Sequence, residues 1–293
     1  MPDVPLTEST PVVGLIGCGL LGSALAERLL AGGARVHAYD PAGVQMAGVV
    51  SCKDVVAVAK QCQWILYCLP NSATGLEVTS RILPYLQVGQ AIADTTTGDP
   101  HDMESMAQDL KQRQVGYLEV NVAGSSDLLR QGKATLFLGG ESEWIEHWAG
   151  LLDMIAPTRW CLGAVGTASR FKLVHNLILG LHRAVLAEGL HFAHAMGFDP
   201  AKALAVLKQT PASSQVMFQK GSRMVERSYE PPQARVAQHL KDVRLMMGLA
   251  DQQGLGLPLT QVHESMLTEL TQQGLGHLDN SAIAEFYHAP LTD

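Results

Sequence analysis

Lys172 and Asn176 are the residues whose type and spacing most directly suggest proton chemistry. They stand at i and i+4 in a proline-free run, VGTASRFKLVHNLILGLHRAVLAEGLHFAHAMG, from Val165 to Gly197. On a helix they share one stripe, with Arg183 two turns further along it. Thr167 and Ser169 are candidate caps at its start, and Gly197 with Pro200 ends it. Such a helix is roughly 45 Å long. Val174, Ile178, Leu181, Val185, Phe192 and Met196 fall on the face opposite Lys172, and five leucines make the helix apolar nearly all round. A buried helix is expected. A lysine buried in its first turn meets the positive end of the dipole and loses hydration. Both effects lower its pKa toward the range useful for proton transfer. The plainer reading is a core helix with a solvated edge. Glu188, His191 and His194, at i, i+3 and i+6, turn by about 60° from one to the next on a helical wheel. They do not face one point, and no metal site is expected.

A second group of residues suggests phosphate binding. The stretch VVGLIGCGLLGSALAERLLAGGARVHAYDP reads as strand, GxGxxG, helix, strand and acid, in that order. Gly17 allows the tight turn, Gly19 lets the backbone approach a pyrophosphate, and Gly22 lets helix and strand pack closely, with the helix N-terminus facing the phosphate charge. Asp40 ends the second strand. A carboxylate there accepts hydrogen bonds from ribose hydroxyls and repels a 2′-phosphate. Pro41 and Ala42 follow it, so no arginine stands ready for that phosphate. NAD is therefore favoured over NADP. Leu69-Pro70, after the apolar strand beginning at Trp64, would lie against the cofactor at a strand's carboxyl end. The hydroxyls of Thr95, Thr96 and Thr97 could hold a nicotinamide amide or cap the next helix.

The elements that must position these groups follow an α/β pattern up to about residue 164. Strands are expected at Val12–Ile16, Arg35–Tyr39, from Trp64, at Ala91–Asp94 and from Gly116, with another returning over 132–140. From residue 165 the pattern is helical throughout, at Pro200 to Lys208, Gln215 to Val225, Gln233 to Gln253 and Pro258 to Gln273. The expected class is α/β. A polar tail covers 1–11, a Rossmann-type dinucleotide-binding domain 12–164, and an all-α domain 165–293 that begins with the long helix. Lys241-Asp242 is the most notable charged pair of the helical part; on its own it reads as a surface lysine beside an acid. With 293 residues, 47% hydrophobic and net charge −7, the chain can bury sizeable cores and offers no basic block for nucleic acid or an anionic membrane. No apolar run reaches the roughly 18 residues of a membrane span. Five scattered cysteines without a CxxC pair fit reduced thiols and a cytoplasmic setting.

Taken in order, GLIGCGLLG, LPN, DTTTGDP, the turn at Asn121 to Ser125, GTASRFKLVHN, AEGLHFAHAMG, LKDVRLMMGLA and GHLDNSAIAEFY resemble the β-hydroxyacid dehydrogenase family, the 3-hydroxyisobutyrate, tartronate semialdehyde and succinic semialdehyde reductase group. The resemblance runs from Val12 to about Tyr287. It implies that Lys172 is the acid/base and Asn176 its partner in placing the substrate. Gly17, Gly19, Leu20, Leu21 and Gly22 would hold the pyrophosphate; Leu69, Pro70 and Thr96 or Thr97 would line the cofactor. Lys241 would close the cleft. Ala123, Gly124 and Ser125 would bind a substrate carboxylate through main-chain amides. It also implies a homodimer or homotetramer, a conclusion supported by a helix apolar on more faces than one small domain can cover. The reaction implied is hydride transfer between NAD or NADP and a short hydroxy acid or semialdehyde. Imine reduction on the same scaffold and dinucleotide binding without catalysis are the alternatives. The family turn D-A-P-V-S-G-G here reads Glu119-Val120-Asn121-Val122-Ala123-Gly124-Ser125. The serine becomes Ala123, the second glycine becomes Ser125, His175 replaces an asparagine and Ala168 a glycine, so the altered part is the substrate wall.

Overall fold

The structure, a computed structural model, describes residues 10–288; most of the expected tail, residues 1–9, lies outside the described residues. The chain forms two compact units that part between Lys172 and Leu173.

In the first unit eight strands, among the described residues, form one sheet. They are β1 (Val12–Ile16), β2 (Arg35–Tyr39), β3 (Val49–Ser51), β4 (Trp64–Tyr67), β5 (Ala91–Asp94), β6 (Gly116–Ala123), β7 (Thr135–Gly140) and β8 (Thr158–Cys161). Their order is β3-β2-β1-β4-β5-β6-β7-β8, and only the β6–β7 pair is antiparallel. The helices are α1 (Leu20–Ala31), α2 (Val55–Gln61), α3 (Ser72–Ile82), α4 (Pro100–Lys111), α5 (Ser126–Arg130), α6 (Ser142–His147) and α7 (Ala149–Ile155). Two apolar layers result. One gathers Leu15, Leu25, Leu66, Leu118 and Trp148; the other gathers Ile16, Val58, Ile65, Ile92 and Met106. Strands covered on both faces are continuous apolar runs, as in WILY of β4. The edge strands β3 and β8 are short and largely exposed, so they carry no such run and were not expected. The strand order reverses beside β1, where β2 and β4 flank it. In an open α/β sheet ligands lie outside the carboxyl ends of the strands at that point.

Helix α8 (Thr167–Ala195) passes from the first unit into the second. It is followed by α9 (Pro200–Leu207), α10 (Gln215–Glu226), α11 (Val236–Gln252), α12 (Pro258–Gln272) and two 3-10 segments, Leu275–His277 and Asn280–Tyr287. Among the described residues this unit has no strand. Its core gathers Leu173, Leu186, Leu190, Val243 and Leu267. Lys220 and Asp279 form a buried ion pair at 2.8 Å. Asp279 also accepts hydrogen bonds from the amides of Gln233 and Ser281, tying the C-terminal segment to α10.

One expectation about α8 is corrected. Val174, Ile178, Val185, Phe192 and Met196 are 49–67% exposed, not buried. The helix turns Leu173, Leu186 and Leu190 inward instead, together with the polar stripe of Lys172 and Arg183. Glu188 accepts a hydrogen bond from the Tyr287 hydroxyl, and His191 stacks on the same ring. Among the described residues no helix is long and apolar enough to cross a membrane.

Candidate active site

The glycine turn sits between β1 and α1. Gly17 has φ +99°, and a Cβ there would stand 2.2 Å from the Cys68 carbonyl oxygen. A Cβ at Gly22 would stand 2.1 Å from the Gly17 carbonyl oxygen. A Cβ at Gly19 would meet nothing within 4 Å, so the backbone is open where a pyrophosphate would approach. Gly19 is the N-cap of α1 and no side chain caps the first turn formed by Leu20, Leu21 and Gly22. Its amides point along the helix axis with the positive end of the dipole. This cradle fits a dinucleotide.

Asp40 lies at the end of β2 with both oxygens engaged. One accepts from the Cys18 amide at 2.7 Å and the other from the Ala42 amide at 2.8 Å. Each carboxylate oxygen keeps a further lone pair for a ribose hydroxyl. Burial, and then the Asp40 charge, push the Cys18 thiol up to about 11, so it stays protonated beside the turn.

The ends of β4 and β5 are laced together. The Leu69 amide donates to Thr96 Oγ1 at 3.1 Å, and the Thr95 hydroxyl donates to the Tyr67 carbonyl at 2.7 Å. The threonines do not cap the next helix; Asp99 does, accepting from the His101 amide. Pro70 and Thr97 adjoin this lacing in sequence; Pro70 is exposed and Thr97 partly buried. Asp94 is buried, and burial raises its pKa to about 6 against the hydrogen bonds from Thr96 and Tyr117.

Lys172 belongs to the same unit. It is 8% exposed, and its Nζ donates to the Val122 carbonyl of β6 at 2.6 Å. The next three residues are the Ala123-Gly124-Ser125 turn, with Gly124 at φ +151°. Thus the lysine ammonium is seated at the base of the turn that sequence assigned to substrate. The Ser125 hydroxyl is not a simple replacement for the family serine: it caps α5, accepting from the Leu128 amide at 3.3 Å.

In the second unit, Asn176 lies one helical turn after Lys172. Its Nδ2 donates to Asp242 at 2.9 Å, and its Oδ1 lies 3.2 Å from His175 Nδ1. Lys241 pairs with the other oxygen of Asp242 at 2.9 Å. Asp242 therefore joins the two residues carried over to this unit.

The NAD binding domain of 6-phosphogluconate dehydrogenase matches residues 12–166, and the NAD-binding region of NADP-dependent 3-hydroxyisobutyrate dehydrogenase matches residues 166–287. The chain belongs to the β-hydroxyacid dehydrogenase family. Glyoxylate/succinic semialdehyde reductase 1 of Arabidopsis thaliana is 25% identical over 93% of this chain and 97% of its own length. The 2-hydroxy-3-oxopropionate reductase of Escherichia coli (strain K12) is 25% identical over 93% of this chain and 96% of its own. The solved 3-hydroxyisobutyrate dehydrogenase of Salmonella typhimurium superimposes with a TM-score of 0.86 at 22% identity, over 94% of this chain and 99% of that one. The family members are NAD(P)-dependent oxidoreductases, and this chain is one of them.

Sequence reasoning missed three groups. Asp242 was noted only as the neighbour of Lys241, although a lysine–acid pair midway along an apolar helix was the available signal. The Val122 carbonyl is main chain and carries no residue signature. Asn121, fully buried, donates through Nδ2 to the Thr96 carbonyl at 2.9 Å. It stands where the family turn has proline, so the departure itself was the clue.

Proposed function

We propose that this protein transfers hydride reversibly between NAD and a short hydroxy acid or its semialdehyde, with Lys172 as general acid/base. The observation that carries the reading is the seat of Lys172: a buried ammonium held by Val122, one residue before the Ala123–Ser125 turn. When bound, the dinucleotide supplies or accepts the hydride at its nicotinamide ring. In reduction Lys172 gives a proton from Nζ to the carbonyl oxygen. In oxidation the neutral amine takes the hydroxyl proton. The amides of Ala123, Gly124 and Ser125 hold the substrate carboxylate. By the family resemblance, Asn176 would partner Lys172 in placing the substrate, and Lys241 would close the cleft on the cofactor side. The substrate class follows from the names of the relatives and from a turn of small residues suited to a compact acid.

Lys172→Ala tests the reading. Turnover should fall by about 10² to 10⁴, the usual worth of a positioned acid/base, while NADH still binds in a fluorescence titration. Undiminished turnover would remove Lys172 from the mechanism. A panel of short hydroxy acids, semialdehydes and cyclic imines, run with NADH and NADPH, tests the rest. Turnover of imines alone would move the protein to imine reduction. Asp40 supports NAD, because its charge would face a 2′-phosphate; a higher kcat/KM with NADPH would overturn that preference.

We also propose that the exposed stripe of α8 from Val174 to Met196, about 33 Å long, is covered by a second copy of the chain. A contiguous apolar face of this length marks an interaction surface. Val185→Glu should yield monomers by light scattering, and an unchanged mass would place the contact elsewhere.

A further inference from the structure

Glu119 is a carboxylate with no exposed surface, three residues before Val122 on β6. Its side chain accepts four hydrogen bonds from the start of α8. One oxygen accepts from the amides of Gly166 at 2.7 Å and Ala168 at 3.2 Å. The other accepts from the Ser169 amide at 3.1 Å and from the Ser169 hydroxyl. Two oxygens therefore serve four donors at the positive end of a long helix, where negative charge is favoured. Burial raises the pKa of Glu119, and these four hydrogen bonds work against the rise.

The strand beside it is shaped for this carboxylate. Gly139 of β7 is paired directly with Glu119. A Cβ at Gly139 would stand 2.4 Å from the Glu119 carboxylate and 3.1 Å from the Ala168 amide nitrogen. A side chain there would collide with the Glu119 carboxylate and crowd the start of the helix. The same strand then meets the helix again: Val122 is three residues beyond Glu119, and Lys172 is three residues beyond Ser169. One strand thus holds one helix at two levels, first at its cap and then at the lysine.

We propose that Glu119 is a positioning residue for Lys172, fixing the first turn of α8 on β6 so that the ammonium meets the Val122 carbonyl. The functional consequence rests on Lys172 being the acid/base. Glutamate is needed because all four partners donate. Glu119→Gln keeps the shape but turns an NH2 group toward two of those donors. A displacement of about 1 Å at Lys172 is enough to cost on the order of 10² in rate.

The test compares Glu119→Gln, Glu119→Asp, Ser169→Ala and a control, Glu104→Gln. The control breaks the exposed 2.8 Å contact between Glu104 and Arg170 on the same helical turn. Turnover is expressed per NADH-binding site, so only folded protein is counted. Lys172 is also labelled with acetic anhydride and its acetylation rate read by mass spectrometry, which needs no turnover. Glu119→Gln should lower kcat on the order of 10²-fold, leave the NADH dissociation constant unchanged and alter the Lys172 labelling rate. Glu119→Asp should recover much of the kcat, because it keeps the charge. Ser169→Ala should shift kcat and labelling in the same direction by less, and Glu104→Gln should shift neither. Folded Glu119→Gln with parental kcat and parental labelling overturns the proposal, even if its melting temperature falls. Should Glu119→Gln not fold, parental kcat and labelling in Ser169→Ala overturn it. If Lys172→Ala retains turnover, the acid/base reading fails, and the labelling rate alone decides whether Glu119 sets Lys172.

Discussion

The two units hold their polar groups by different means. In the first, the candidate-site groups are tied largely to main chain: Asp40 to the Cys18 and Ala42 amides, Glu119 to amides at the start of α8, Lys172 to a carbonyl. In the second, side-chain pairs recur: Lys220 with Asp279, which also accepts from main-chain amides, Asn176 and Lys241 with Asp242, and the rings of His239 and His263 at 5.1 Å. Backbone-held geometry tolerates changes in the neighbouring side chains and depends on glycines and turns. Side-chain pairs depend on both partners being present, because removing one strands a buried charge.

That difference sets the largest expected effect. Lys220→Met leaves Asp279 buried without its cation and should cost about 3–5 kcal/mol. Hydrogen exchange resolved by peptide should show the loss in α10 and the C-terminal segment, with the β-sheet unaffected. A loss spread equally over both units would break the contrast.

Acid should separate the units by nearly as much. His263 is buried, and burial, followed by the Arg183 charge, pushes its pKa down to about 4. The unfolded value is about 6.5, so between these values the unfolded chain holds a proton that the folded unit refuses. Stability present above pH 6.5 is lost as the pH falls toward 4, by up to about 3 kcal/mol. Asp94 in the first unit shifts oppositely, raised by burial from 3.8 to about 6. Its folded form keeps a proton that the unfolded chain has released, so stability increases as the pH falls below 6, by up to about 3 kcal/mol. Exchange protection measured at pH 7 and pH 4.5, after correction for intrinsic rates, should therefore fall in the helical unit relative to the sheet. His263→Gln should reduce the difference; a gap of the same size in that variant would assign the acid sensitivity to other groups.

The same contrast explains what the sequence could and could not reveal. Gly17, Gly19 and Gly22 act through the space they leave, and their spacing is itself the geometry, so the dinucleotide turn was legible at once. Buried strands such as WILY announced themselves as apolar runs, while β3 and β8 at the sheet edges did not. The face of α8 was misjudged for a related reason. Periodicity says that Val174, Ile178 and Val185 share a side, but only the packed unit decides which side turns inward, and here the stripe bearing Lys172 and Arg183 does. Pairings such as Asn176 with Asp242, or Glu119 with Ser169, join residues 66 and 50 apart in sequence. No local pattern encodes that approach; it follows only once the sheet and the helices have packed.

The smallest effect tests whether the contrast reaches the Ala123–Ser125 turn, the proposed seat of the substrate carboxylate. Ser125 places a hydroxyl two residues after the position where the family turn carries its serine, here Ala123. Its 3.3 Å bond to the Leu128 amide makes it a cap for the short helix α5. Loss of a serine cap costs typically about 1 kcal/mol, and about 0.5 for a weak one. Ser125→Ala should therefore lower the melting temperature slightly and leave KM for an acid substrate unchanged, because the amides of the turn remain. If KM instead rises tenfold, about 1.4 kcal/mol of binding, while the melting temperature holds, the hydroxyl is bound to substrate and not to α5. The first unit would then read its substrate by side chain after all, and Ala123→Ser, which restores the family hydroxyl, should compensate for the loss.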